Sequence, residues 1–261
     1  MDEIARLNRT AWNSLAEGGN RWTVPVSPEV IANARKGNWS IVLTPTRPVP
    51  AEWFPDLEGA EVLCLASGGG QQAPVLAATG AKVTVYDNSP KQLERDRAVA
   101  TREGLDLQTV EGDMRDLGCF DDASFDLIVH PIANCFVPEI QPVWNECARV
   151  LRHGGELLAG FTNPVRYLFA DDLEHSSDLL CVAHRIPYSD LEELTEEDQA
   201  AYRKKGEPFE FGHSLEEQLA GQLRAGLVIV DLYEDGYLPE EDVLSRHIKT
   251  FVATRARLGG A

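Results

Sequence analysis

The chain has 261 residues, 43% of them hydrophobic and 25% charged, and a net charge of −18. That length and composition fit one large α/β domain with an appendage, and so acidic a surface repels phosphate backbones and anionic membranes, because nucleic-acid binders carry a basic footprint. The compact basic cluster at Arg203, Lys204 and Lys205 reads as a solvated helix end, no apolar run reaches membrane-spanning length, and the acidic start lacks a signal-peptide core, so a cytoplasmic protein with neither nucleic-acid nor membrane partner is expected.

Cys64, Cys119, Cys135, Cys147 and Cys181 are scattered and lack CxxC spacing. They read as reduced thiols, with neither a disulfide framework nor a structural zinc site. Residues 1–16 have helical spacing, with Ile4, Leu7, Trp12 and Leu15 on one face and Gly18-Gly19 as the stop. Ser27 followed by Pro28 starts a second helix that runs to about Arg35. Residues 44–55 contain Pro45, Pro48, Pro50 and Pro55 and read as an extended linker, so 1–57 form a helical arm ahead of a sheet. Trp12, Trp22, Trp39 and Trp53 are concentrated there, either as packing anchors or, for one or two, as walls of a ligand pocket.

The densest pattern is EVLCLASGGGQQAPVLAATGAKVTVYDNSP at 61–90. Residues 61–66 read as a short buried strand, Gly68-Gly69-Gly70 as a bare turn, 71–79 as a helix stopped by Gly80, and 82–86 as a β-branched strand ending on Asp87. Strand, glycine turn, helix, strand and acid make half of a doubly wound nucleotide-binding sheet. A ligand would lie against the glycine backbone, with free N–H groups at the helix start facing it. Asp87 would accept from a ribose diol. Ser67, Gly68, Gly69, Gly70, Gln71, Gln72, Asp87, Asn88 and Ser89 are the cofactor-binding candidates of this stretch.

Ser89 and Pro90 open a helix to about Glu103, and 107–110 is a third strand, followed by Glu111-Gly112-Asp113-Met114. Residues 125–130, FDLIVH, form a fourth strand, and the loop PIANCFVPEI follows. A helix over 141–151 is stopped by His153-Gly154-Gly155 ahead of a fifth strand at 156–161. Residues 165–214 then break the alternation. They are acidic and irregular, with Tyr167, Phe169, Leu179, Tyr188 and Phe209 among interleaved apolar residues. So long an insertion, against ordinary connections of about 2–6 residues, is functional or disordered. Leaving the carboxyl end of the fifth strand, it starts above the ligand rim, and a substrate cap is expected. Residues 215–225 are helical, and strands at 227–233 and 247–257 are joined too closely for a clear crossover helix, which points to an antiparallel final pair.

This order of landmarks resembles the class I S-adenosylmethionine-dependent methyltransferases, most of all the bacterial small-molecule branch grouped as methyltransferase type 11. The resemblance covers about residues 58–164 and, by topology, 215–257. It implies an α/β, Rossmann-like, doubly wound seven-stranded sheet with an antiparallel last strand. It also implies an enzyme that binds S-adenosyl-L-methionine and methylates a small molecule. The divisions are the arm (1–57), a cofactor-binding core (58–164), an inserted cap (165–214) and the C-terminal part of the core sheet (215–261). The family's acid-x-Gly-x-Gly-x-Gly turn falls on Cys64, Ala66, Gly68 and Gly70, so Cys64 stands in place of the acid and Ala66 in place of the first glycine. The acid's contact with the methionine amino end would pass to Gln71 and Gln72 or to turn carbonyls. Asp87 takes the ribose position, Asp113 accepts from the adenine amino group and Met114 lies beside the ring. FDLIVH, with His130, faces the transferred methyl, and RVLRHGGELL matches the helix-Gly-Gly-strand element.

The implied chemistry is in-line displacement, in which alignment supplies much of the rate. A base is needed only for a nucleophile that carries a proton. His130 and His213 are the candidate bases, and Asn134, Tyr188 and His213 the candidate substrate contacts. Two other readings stay open. Gly68, Gly70 and Ala73 with Asp87 satisfy the G-x-G-x-x-A fingerprint of an NAD(P)-dependent oxidoreductase, and a non-catalytic ligand-binding protein can share the methyltransferase fold. No metal is expected: His175 beside Asp171, Asp172 and Glu174 reads as a solvated acidic face.

Overall fold

The computed structural model describes residues 2–169 and 180–259. Asp171, Asp172, Glu174, His175 and Leu179 lie outside the described residues. The elements run α1 (Glu3–Glu17), α2 (Pro28–Ala34), β1 (Glu61–Leu65), α3 (Gln72–Ala78), β2 (Lys82–Asp87), α4 (Pro90–Glu103), β3 (Leu107–Glu111), β4 (Phe125–His130), α5 (Gln141–Val150) and β5 (Leu151–Thr162). They continue with β6 (Tyr188–Ser189), α6 (Asp190–Glu193), α7 (Glu196–Lys205), β7 (Phe211–Gly212), α8 (Gly221–Arg224), β8 (Leu227–Asp235) and β9 (Phe251–Leu258). Helix starts are capped as their sequences require: Asp2, Ser27 and Ser89 accept from the backbone N–H three residues on.

The main sheet has seven strands in the order β3-β2-β1-β4-β5-β9-β8. The first five in chain order pair in parallel, and β9 is antiparallel to both β5 and β8. The doubly wound α/β fold with an antiparallel last strand is therefore present. Side-chain alternation divides the core. Val62, Cys64, Leu127 and Val129 face α2, α3 and Trp53, whereas Leu63, Leu65, Ile128 and Leu157 face α5 and Trp144. Cys64, expected as a small apolar packing residue, is fully buried, and all five cysteines are free thiols.

Local differences from the sequence reading have physical causes. The fully buried face of α1 is Ala5, Asn8, Ala11 and Ala16, and the expected stripe of Ile4, Leu7, Trp12 and Leu15 is half-buried. Small residues let α1 lie close on the start of α4, where Asn13 accepts from the Ser89 hydroxyl and Arg95 donates to the Ala16 carbonyl. Strand β5 begins at Leu151. Leu151 pairs with Phe125 and Glu156 with Leu127, so His153-Gly154-Gly155 is a bulge within the ladder rather than a gap before it. The helix over 215–225 is a π turn at Glu216–Ala220 followed by α8. Strand β9 starts at Phe251, after a 3₁₀ turn at Leu244–Arg246. The described part of the segment 165–214 carries α6, α7 and a two-stranded β6–β7 ladder where the composition read as irregular.

The antiparallel insertion of β9 is clamped by one acid. Buried Glu156 on β5 accepts from Arg255 (2.7 and 2.8 Å) and from Arg257 (3.2 and 2.5 Å) on β9. Burial alone would raise this carboxyl, but the two guanidiniums outweigh it and hold the group below its ordinary value. A depressed folded value stabilises above the unfolded pKa and is lost as pH falls through the folded one. Glu156→Gln should therefore cost roughly 2 kcal/mol at neutral pH, and the gap to wild type should close below about pH 4. Thermal denaturation at both pH values checks this; equal midpoints at neutral pH would show that the clamp contributes nothing.

Candidate functional site

The carboxyl ends of β1, β2, β3 and β4 open on a cavity of about 500 Å³. Ala66, Ser67, Gly68, Gln71 and Gln72 come from the turn after β1, and Asp87 and Asn88 end β2. Gly112, Asp113 and Met114 follow β3, and 131–133 follow β4. Of the residues expected to bind a cofactor, the rim thus brings together Ser67, Gly68, Gln71, Gln72, Asp87, Asn88, Asp113 and Met114. Gly69, Gly70, Ser89 and His130 do not line it.

The glycine turn is built differently from the sequence reading. Its N–H groups are not free toward a ligand; all three end on carboxylates of the chain. Gly68 donates to Asp87 (2.9 Å), while Gly69 (2.9 Å) and Gly70 (3.1 Å) donate to the two oxygens of Asp96 on α4. Gly69 and Gly70 have φ of +119° and +73°, and a Cβ there would meet the Trp22 carbonyl or Pro25 of the arm and Gln92 or Arg95 of α4. These glycines are needed for close packing behind the turn, whereas Gly68 presents backbone to the cavity. Ala66 keeps a positive φ of +46° without a glycine.

Asp87 also accepts from Ser89 N–H (2.8 Å), and burial raises its carboxyl to about 6 against the pull of both backbone donors. Asp113 is held by Arg115 through the backbone N–H (3.0 Å) and the guanidinium (3.0 and 2.5 Å), and Arg115 also pairs with Asp2 of the arm. Gly112 is required because a Cβ there would stand 1.9 Å from the Tyr86 hydroxyl. Gln71 is a tether for the arm, donating to the Arg21 and Val24 carbonyls, and Gln72 donates to Val42.

The two histidines sit behind the cavity wall. His130 is fully buried, with Nδ1 2.9 Å from the Leu65 carbonyl and Nε2 2.6 Å from the Asn134 amide, which in turn reaches Gln218. Burial lowers its pKa against the opposing pull of these two hydrogen bonds, and the ring is a strut between β1 and the loop after β4. His213 is buried too; its Nε2–H reaches the Asn134 and Val137 carbonyls (3.1 and 3.0 Å), and burial again lowers the pKa. Neither ring, nor Asn134, lines the cavity; Tyr188 does.

The remaining walls come from the arm and from 165–214. Trp12 and Trp22 line the cavity, while Trp39 packs edge-on against Phe54 and Trp53 donates to Asp231; the arm's tryptophans divide between the two expected roles. Tyr167 stacks on Tyr188 with ring centroids 5.3 Å apart and donates to Glu210 (2.7 Å). Asn8 ties the layers together: its amide donates to the Phe136 and Phe209 carbonyls (both 3.0 Å) and accepts from Phe209 N–H (2.8 Å). The sequence pattern marks Tyr167 only as one of the interleaved residues of 165–214 and does not mark Glu210, Gln92 or Asp96. For Asp96 a signal existed, since it falls at helical spacing among the buried Gln92, Leu93, Val99 and Ala100. Among the described residues, Asn88 Oδ1 and Gln92 Oε1 are buried acceptors without a donor, and both residues line the cavity.

Residues 63–159 match the family model described as "Methyltransferase domain". The chain is 50% identical over 258 residues to YbaJ of Bacillus subtilis, described as an uncharacterized methyltransferase, covering 98% of this chain and 99% of that one. Among solved structures it is similar to an S-adenosylmethionine-dependent methyltransferase from Mesorhizobium loti, with a TM-score of 0.62 and 18% identity over 79% of this chain and 94% of that one. A geranyl diphosphate C-methyltransferase from Streptomyces coelicolor, solved with S-adenosyl-L-homocysteine, matches with a TM-score of 0.53 and 16% identity over 78% and 75%.

The raised Asp87 carboxyl has a consequence for the ligand-free protein. Its contribution to stability is full below the unfolded pKa and is lost as pH rises through about 6. Between about pH 4 and pH 7, wild type should lose roughly 2 kcal/mol more than Asp87→Asn. Denaturant unfolding across that range measures it; parallel profiles would place the Asp87 carboxylate in ordinary solvent.

Proposed function

The chain belongs to the class I S-adenosylmethionine-dependent methyltransferases, and from that premise we propose that it methylates a small-molecule acceptor held between the arm and the segment 165–214. It is an enzyme, and S-adenosyl-L-methionine is its cofactor. The residues present fit that group. Asp87 takes the ribose hydroxyls, Asp113 the adenine amino group and Met114 the ring face, while Gly68 presents bare backbone beside them. When bound, S-adenosylmethionine supplies a methyl on a sulfonium that is already an activated leaving group. The chain's own work is alignment and exclusion of water.

The observation that carries the acceptor reading is the continuity of the cavity. The space bounded by Gly68, Asp87 and Met114 is also walled by Tyr167, His184, Tyr188, Tyr202 and Glu210. Its volume of about 500 Å³ is that of a small-molecule pocket rather than a polymer groove. The net charge of −18 favours a neutral or cationic acceptor over a nucleic acid. We therefore take 165–214 as an acceptor cap, 1–57 as an arm that closes the cofactor side, and the cytosol as the compartment. No helix among the described residues is long and apolar enough to cross a membrane. Tyr188 is kept as an acceptor contact. His130, His213 and Asn134 brace the wall. A nucleophile that carries a proton meets Glu210, hydrogen-bonded to Tyr167, or His184, 3.2 Å from Glu193.

Asp87→Ala should weaken S-adenosylmethionine binding by roughly 1.5–3 kcal/mol, the range for hydrogen bonds to a charged group, while Tyr188→Ala leaves it within a few-fold and lowers turnover. Calorimetry reads the first effect. The second is read by transfer of labelled methyl from S-adenosylmethionine into a fractionated cell extract, where the label should enter the small-molecule fraction. Label confined to RNA or protein would overturn the acceptor class. Asp113→Ala should weaken S-adenosylmethionine much more than an analogue lacking the adenine amino group; equal losses would remove Asp113 from the adenine site.

A further inference from the structure

We propose that Asp96 on α4 is the positioning residue that sets the glycine turn, holding it from a neighbouring helix where β1 carries Cys64 in place of an acid. The inference rests on the reading of the cavity as the cofactor site. Asp96 is fully buried, yet among the described residues no Lys or Arg pairs with it. Its bonds go to the turn: one oxygen takes Gly69 N–H, which also approaches the Gln92 carbonyl at 3.2 Å, and the other takes Gly70 N–H. A buried carboxylate is costly unless hydrogen-bonded or paired, so a fold that needed only packing at this position would carry an apolar residue in the α4 stripe.

The placement matches the vacancy in the motif. Burial and then the Asp96 charge are the causes that push the Cys64 thiol up, so the carboxylate stands near the strand position from which the acid is missing. Asp96 does not line the cavity, and Gly68 does. Its action on a ligand therefore passes through the backbone: with Gly69 and Gly70 drawn onto α4, Gly68 is left facing inward and bonded to Asp87. Burial, and after it the nearby Asp87, raise the Asp96 carboxyl to about 8.

Amide hydrogen exchange on the ligand-free wild type tests the geometry without reference to any ligand. The Gly69 and Gly70 amides should exchange slowly, and adding S-adenosylhomocysteine should leave them unchanged. Fast amides that slow only on addition would assign them to the ligand and overturn the proposal. Asp96→Asn keeps one acceptor oxygen, so it should free one of the two amides and raise the S-adenosylhomocysteine dissociation constant about tenfold, the size of one lost hydrogen bond. Val99→Ala, in the same buried stripe, should lower stability and leave that constant alone. An Asp96→Asn protein with native affinity would overturn the positioning role, and if that variant does not fold, the wild-type amides decide. Loss of the cofactor reading would look different: no binding by wild type, with the glycine amides still slow.

Discussion

Three consecutive glycine amides end on two carboxylates, and much of this site follows from that. Gly68 is bonded to Asp87 at the end of β2, and Gly69 and Gly70 to Asp96 inside α4. The turn after β1 is thus fixed to β2 and α4 rather than held by its own residues. Both acids are moved up by burial, to about 6 and about 8. That is the cost of enclosing two acids where, among the described residues, neither has an ion-pair partner. A ligand that brings positive charge and hydrogen-bond donors recovers part of that cost on binding. Preorganisation of this kind leaves little backbone to order when the ligand arrives.

The second constraint is closure. The sheet supplies a rim, but the walls come from elements before and after it, joined by single polar residues. Asn8 binds α1 to the loop after β4 and to Phe209. Gln71 holds the arm to the turn, and Asp235 at the end of β8 accepts from Thr46 and Arg47 of the proline-rich linker. The arm and the late segment are coupled to the site through hydrogen bonds that a few substitutions can break, whereas the sheet below rests on burial. Acceptor specificity can then change in the walls without disturbing the rim.

The sheet was legible because parallel strands buried on both faces leave unambiguous apolar runs, and because Asp87 and Asp113 fall at strand ends. The antiparallel final pair followed from the short linker between its strands. What the sequence hid was direction and distance. Three glycines imply close approach, but not whether the approaching group is a ligand or, as here for Gly69 and Gly70, the arm and α4. His130 ends a strand on the rim, yet the pleat turns its ring inward to Leu65 and Asn134. Asp96 was passed over because an acid within a helix reads as a solvated face until its neighbours are known. The bulge at 152–155 and the β6–β7 ladder depend on pairing partners far along the chain, which local patterns do not carry.

The measurement that bears most directly on the central claim is a crystal structure with S-adenosylhomocysteine. The account predicts the ribose on Asp87, the adenine between Met114 and the Asp113 carboxylate, and the sulfur facing the space bounded by Tyr167 and Tyr188, with Gly69 and Gly70 still bonded to Asp96. A ligand bound elsewhere, or one that draws the Gly69 and Gly70 amides away from Asp96, would contradict it.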